Sequence, residues 1–265
     1  MMKELVTTGM RNNNETINKK YELVMDDSIC IMNKHTLYRI KALRDFSNIK
    51  KGDLGGYIES ENNLSHNGDC WIYDYAEVFG DARVAGNSKV AGNARVFGNA
   101  RVFGNAKVAG NTKVFGNAEV AGNTKVFGNA KVIDNAEIFG DARVFGDAEV
   151  FSNARVFGNA RVFGNAKVFG NAKVFSGACI HGNASICTNA LIESNDDYIV
   201  IDNIGSRNGT TTFYKGKYSD ICVKCRCFNG TLDDFINKVK ETHGDNKHSR
   251  NYLLAIELAK LCINK

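Results

Sequence analysis

The chain has 265 residues, 43% of them hydrophobic, enough for a substantial core, and its formal net charge is only +5. It contains no apolar run of about 18 residues and no N-terminal run of signal-peptide form, which argues against a membrane span or secretion and for a cytoplasmic protein. Proline is absent and the eight cysteines are scattered, which suits an unbroken backbone ladder and reduced thiols.

Residues 1–20 are polar and Asn-rich and read as a loose tail. Tyr21–Met25 and Thr36–Ile40 alternate like short strands, with Gly52–Gly56 as a turn. Residues 1–53 are therefore expected to form a tail and a small β cap. Irregular coils begin near Ile58 and Leu64, and the frame slips by two residues before Ile72. From Ile72 to Ile192 every sixth residue is Val or Ile, at twenty-one positions without a miss. Four residues after each comes a small residue, as at Ala76, Ala82 and Ser88, and between them lies a turn pair, most often Gly-Asn. Gly and Asn tolerate positive φ, so each hexad bends once and runs straight for the rest. Three such hexads make a coil of about 18 residues, and residues 54–195 are expected to form a three-sided parallel β-helix of this kind. Val and Ala should point inward, Lys and Arg outward. Residues 196–265 are read as an α+β domain. Its strands are Asp197–Ile201, Thr210–Lys215 and Asp220–Phe228; one helix is capped at Thr231 and closes at His243-Gly244, and a last helix runs from Ser249 to Ile263.

The aliphatic-x-x-x-small pattern resembles the left-handed β-helix of the bacterial hexapeptide transferases. That resemblance implies a left-handed coil and, commonly, a homotrimer. Leu37–Phe46 and Lys51–Glu59, with Ile204–Asn208 and Glu241–Lys247, are similar to segments of a group of phage-borne and bacterial hexapeptide-repeat proteins. This resemblance implies a phage or prophage origin, and the host cytoplasm as location, without implying an activity.

Residues 18 apart share a face, about 4.8 Å apart. One outward column reads Lys89, Lys107, Lys125, Arg143, Arg161; the other two faces are interrupted by Glu. Adjacent cations at that spacing repel by roughly 1 kcal/mol in water and about 3 kcal/mol at an effective dielectric of 20. An anionic partner would relieve this; a solvated face is the plainer reading. The position after each aliphatic is Phe in most coils, so ring columns should stack along the corners, and the Phe79-to-Phe169 column is the expected trimer surface. Ala91 and Ala109, beside Lys89 and Lys107, should leave a low basic trough suited to phosphates.

No His lies between His66 and His181 and no loop interrupts the array. Those two are the candidate general bases if the chain is an enzyme, with no partner carboxylate identifiable beside either. Cys222, Cys225 and Cys227 with His243 or His248 invite a zinc reading, but a strand sends Cys222 to the opposite face from the other two, so core thiols are expected and no metal. Ser206, Arg207, His243 and Lys247 lie in two polar loops and form a second candidate anion site. The leading expectation is a non-catalytic, cofactor-free binding protein that captures an anionic, phosphorylated or nucleotide ligand, nucleic acid and membrane not being favoured. The runner-up is an acyl-CoA-dependent acyltransferase, to be recognised by a His–carboxylate pair in a subunit cleft. A structural spacer is the third possibility.

Overall fold

The computed structural model describes residues 19–263, so residues 1–18 of the tail expected over 1–20 lie outside them, while its last two residues are not loose: Lys19 pairs with Glu61 and Lys20 is buried. β1 (Tyr21–Ile31) and β2 (His35–Ala42) form an antiparallel hairpin, and β2 also pairs with β3 (Leu54–Ile58). β3 then runs parallel to Glu77–Val78, so the hairpin extends one face of the prism into a ten-stranded sheet. The expected Gly52–Gly56 turn is therefore half strand. Gly56 is needed there for close approach: a Cβ on it would stand 2.5 Å from the Ala76 carbonyl oxygen and from Ile72 Cγ2. The two-residue slip is real, since Leu64 bridges Val84 while Ile72 pairs with Val90.

The open top of the prism is plugged from the N-terminal side. Lys20 is fully buried, and its ammonium donates to the carbonyls of Gly68 (3.2 Å) and Cys70 (2.8 Å) and to Cys70 Sγ (3.3 Å). Burial is the largest influence on this amine and lowers its pKa; the Cys70 contacts oppose it. Tyr21, Phe46 and Trp71 close the same end, with Tyr21 Oη donating to the Leu64 carbonyl at 2.7 Å.

From Trp71 onward the chain makes two-residue strands, here called rungs. The described residues carry seven rungs on each of three faces. Face 1 runs from Trp71–Ile72 to Cys179–Ile180, face 2 from Glu77–Val78 to Ser185–Ile186, and face 3 from Arg83–Val84 to Leu191–Ile192. Each rung is hydrogen-bonded to the next coil, as in Lys107 N to the Thr124 carbonyl at 2.9 Å. The aliphatic of each hexad and the alanine four residues after it point inward and are buried along the array, whereas the corner alanines Ala85, Ala91, Ala109 and Ala121 are only half-buried. The Asn side chains form ladders at the corners, for example Asn99 to Asn117 at 2.9 Å and Asn117 to Asn135 at 2.9 Å.

The Phe columns stack on themselves, with ring centroids 4.7 Å apart for Phe97–Phe115 and 4.9 Å for Phe127–Phe145, the planes within 4°. Rings buried against one another explain the apolar corners without a partner subunit. Phe79, the first ring of the column expected to face a trimer partner, is covered by Leu37 and Tyr57 and is only 2% exposed.

β4 (Tyr198–Ile204), β5 (Gly209–Lys215), β6 (Ile221–Cys225) and β7 (Phe228–Thr231) form an antiparallel meander, backed by α1 (Leu232–His243) and α2 (Lys247–Cys262). The single strand expected over Asp220–Phe228 is thus a hairpin, turning at Arg226 with φ 51°. α2 begins two residues earlier than expected, because Asn246 caps it by accepting from the His248 and Ser249 amides. The sheet closes the other end of the solenoid through the Ala190–Gly216 bridge and the buried Tyr214.

Three inward positions carry hydroxyls. Ser88 Oγ bonds to the Ala85 carbonyl at 2.8 Å, but Thr112 Oγ1 and Thr124 Oγ1 are buried without a partner. Thr112→Val keeps the shape and removes the unsatisfied oxygen. It should raise stability by about 1 kcal/mol, read as a higher denaturant midpoint; no change would mean the hydroxyl is satisfied.

Candidate functional site: a basic trough at one corner

The rungs of face 1 bring the five predicted cations into one ladder, with Lys89, Lys107, Lys125, Arg143 and Arg161 as successive register partners. On the other two faces most of the outward cations find carboxylates one coil away, Arg83, Lys113 and Lys173 being the exceptions. Lys131 and Lys167 both reach Glu149, at 2.8 and 3.0 Å, and Arg155 reaches Glu137 at 2.8 Å. Among the described residues, no ion pair involves any member of the face 1 ladder. Four of the five are exposed; Lys89 is half-buried, donating to Asn48 Oδ1 at 3.2 Å and lying over the Tyr73 ring.

The corner between faces 1 and 2 reads Tyr73, Ala91, Ala109, Phe127, Phe145, Phe163, His181. Where the two alanines replace rings, a cavity of about 330 Å³ opens, lined also by Lys89, Lys107, Tyr73, Asn48 and Asp74. This is the trough expected from the sequence. The residues that close its upper end, Asn48 and Asp74, carry no periodic signal and were not anticipated. Asp74 sits in the left-handed region (φ 55°) in place of a corner glycine, and its carboxylate accepts from the Gly92 amide at 2.9 Å.

The histidines differ from the sequence expectation. Contrary to the expectation that no carboxylate lies beside it, His66 meets Glu61 at 3.3 Å. Both elements of this pair sit in the irregular first coil, where spacing says nothing about proximity. The pair is nevertheless a poor base: Nδ1 accepts the Lys20 amide at 3.2 Å, which leaves Nε2 as the N–H donor to Glu61 and no nitrogen free. Glu61 is held below the usual carboxylate range, chiefly by its bond from Lys19. His181 is exposed and stacks on Phe163 at 5.5 Å, continuing the aromatic column.

The better pair was missed. His35, at the start of β2, meets Glu59 with Nδ1 2.8 Å from Oε1, and Glu59 Oε2 accepts the Gly80 amide at 2.7 Å. Burial pushes the Glu59 carboxyl up, but the bonds from His35 and Gly80 outweigh it and lower its pKa. An ionised Glu59 fixes the proton on Nδ1 and leaves Nε2 as the basic nitrogen, the arrangement a general base needs. His35 packs on Phe79 at the corner between faces 2 and 3, a different corner from the trough.

The C-terminal loops are less assembled. Ser206, Arg207 and Lys247 are exposed; the Arg207 carbonyl accepts from Arg226 at 2.9 Å, and His243 stacks on Tyr252. The nearby cavity of about 430 Å³ is lined by Lys167, Lys224 and Arg226 with Asn165, Asn183 and Thr212, and by none of those four. Cys222, Cys225 and Cys227 do not converge. Cys222 bonds to Asp220 and its thiol is pushed up to about 12 by burial and then by that carboxylate, Cys225 accepts from Thr211, and Cys227 is exposed in the turn. Among the described residues no cluster of three or more His, Cys, Asp or Glu could hold a metal ion, and no helix is long and apolar enough to cross a membrane.

A sequence profile of the YdcK β-solenoid repeat matches residues 94–110 and 154–168. The chain is a hexapeptide-repeat β-helix protein. It is 45% identical over 47 residues to an Escherichia coli K12 protein named uncharacterized acetyltransferase YdcK; the match takes in 17% of this chain and 14% of that protein. A crystal structure from Bacillus cereus, described as that of a candidate acetyltransferase, aligns with 75% of this chain and 92% of its own at 10% identity and a TM-score of 0.21, too low to bear on fold or site.

Proposed function

We propose that this β-helix binds a phosphorylated acyl donor of the acyl-CoA class in the basic trough and transfers its acyl group. The observation that carries the reading is the ladder of five cations, none of them in an ion pair among the described residues, beside a cavity floored by Ala91 and Ala109. Two further facts favour transfer over simple capture: the E. coli relative bears an acetyltransferase name, and His35–Glu59 has the geometry of a general base. Within one chain the trough and His35 lie on different corners. Transfer therefore requires a second copy to present its His35 corner to the trough, so activity should follow the oligomer. That same separation supports a second reading, capture of an anionic ligand without chemistry.

Lys107→Glu should weaken acetyl-CoA binding by at least about tenfold and flatten its salt dependence, because a ladder cation is replaced by a repelling charge while exposed charges are screened within about 8–10 Å. Calorimetry across a salt series tests this. Equal binding by the variant, or binding insensitive to salt, would remove the trough from the reading. Arg207→Ala distinguishes the C-terminal loops and should leave the affinity unchanged.

A further inference from the structure

Two consecutive rings are missing from only one of the three corner columns, and it is the column beside the unpaired cations. The corner between faces 3 and 1 reads Ala85, Phe103, Ala121, Phe139, with single gaps, and the corner between faces 2 and 3 has Ile133 as its one exception before the last coil. At the trough, the Tyr73 and Phe127 rungs are separated by Ala91 and Ala109, three rung intervals or about 14 Å. Planar groups in van der Waals contact stack about 3.5–4 Å apart, so this gap has room for two or three flat layers.

The two ends of the gap differ. Tyr73 is tied down, its hydroxyl 3.0 Å from Asn48 Oδ1 and its face under the Lys89 ammonium. Phe127 is the first ring of the Phe127–Phe145–Phe163 stack and is 40% exposed, whereas Phe145 and Phe163 are half-buried. A stack presents only ring edges to solvent along its length, so the one open π-face of this column is at Phe127. Asp74, whose carboxylate keeps one oxygen beyond its bond from the Gly92 amide, adds an acceptor to the same space that suits a sugar hydroxyl or an exocyclic amine better than a bare phosphate, while Asn48 Oδ1 is already taken by Tyr73 and Lys89.

We propose that this gap is a nucleobase slot: a nucleotide inserts its base over Ala91 and Ala109, against Phe127, and lays its phosphates on Lys89, Lys107 and Lys125. The proposal rests on the reading that the ladder holds the phosphates of the acyl donor and adds the place where the base attached to them is held. Base–aromatic contacts are tolerant of base identity, so the slot selects a planar base over none rather than one base over another.

The test uses ADP and inorganic pyrophosphate as probes on the full chain at low salt. Ala109→Phe fills the slot with the residue that the repeat itself places at Phe127 and Phe145, so the fold should persist, checked by circular dichroism and an unchanged or higher melting temperature. Wild type should bind ADP more tightly than pyrophosphate. Ala109→Phe should weaken ADP by roughly tenfold or more and pyrophosphate by no more than about twofold. Ala121→Phe, which fills the single gap at another corner, should change neither. Equal affinity for ADP and pyrophosphate, or an ADP affinity that survives Ala109→Phe, overturns the slot while leaving the ladder intact. Binding of neither probe by wild type overturns the ladder reading itself, and the slot with it.

Discussion

His35→Ala is expected to lower acetyl transfer by about 10²–10⁴-fold while leaving the affinity for acetyl-CoA unchanged, the range a positioned general base contributes. The basis is tautomer control. Glu59 is fixed by the Gly80 amide at 2.7 Å and by His35 Nδ1 at 2.8 Å, so the imidazole presents its lone pair at Nε2. The proton position is inferred from those partners. Glu59→Gln should reduce the rate less than His35→Ala, because the amide can still accept from Nδ1 but no longer stabilises the imidazolium formed when the base takes a proton. His66→Ala should act differently, lowering stability with little effect on rate per folded molecule, since both of its nitrogens are spent on Lys20 and Glu61. Steady-state rates with acetyl-CoA and a panel of amines and amino sugars, paired with calorimetry, separate these cases. Turnover that survives His35→Ala places the base elsewhere. Binding without turnover in wild type leaves capture as the function.

The solenoid and its trough were legible in the sequence because a strict period converts residue number directly into position. Eighteen residues apart means one coil apart, so Lys89, Lys107 and Lys125 could be placed on one ladder, and Ala91 and Ala109 beside them, before any coordinates. The same period has nothing to say where it lapses. Asn48 reaches the trough from a loop preceding β3, and Asp74 by occupying a glycine position. His35 meets Glu59 only because β1 and β2 fold back as a hairpin, with a bulge between Val24 and Ser28, onto a first coil that is two residues longer than the others. The β6–β7 turn was hidden for a different reason. Its left-handed residue is Arg226, with no glycine or asparagine there to mark a bend.

The corner glycines offer the largest stability effect. Gly110→Ala is expected to cost about 3 kcal/mol, from two separable sources. Gly110 has φ +82°, and a Cβ on it would stand 2.7 Å from the Gly128 carbonyl oxygen and 3.0 Å from its amide nitrogen, both backbone atoms of the next coil. The left-handed conformation alone costs a non-glycine residue about 1–2 kcal/mol, and the array pays it elsewhere, at Asp134 (φ 60°), Ser152 (φ 60°) and Ser176 (φ 55°). Gly182 isolates that part, since its φ is +65° and nothing stands within 4 Å of its Cβ position at the last coil. Gly182→Ala should therefore cost only about 1–2 kcal/mol, and the remainder at Gly110 measures the contact between coils. Gly177, without positive φ and with open space around it, should accept alanine at almost no cost. Denaturant unfolding of the three variants would give the order Gly110, Gly182, Gly177. Equal losses at Gly110 and Gly182 would show that the coils can spread to admit a methyl group, and that coil spacing, on which both the cation ladder and the base slot depend, is softer than the stacked rings imply.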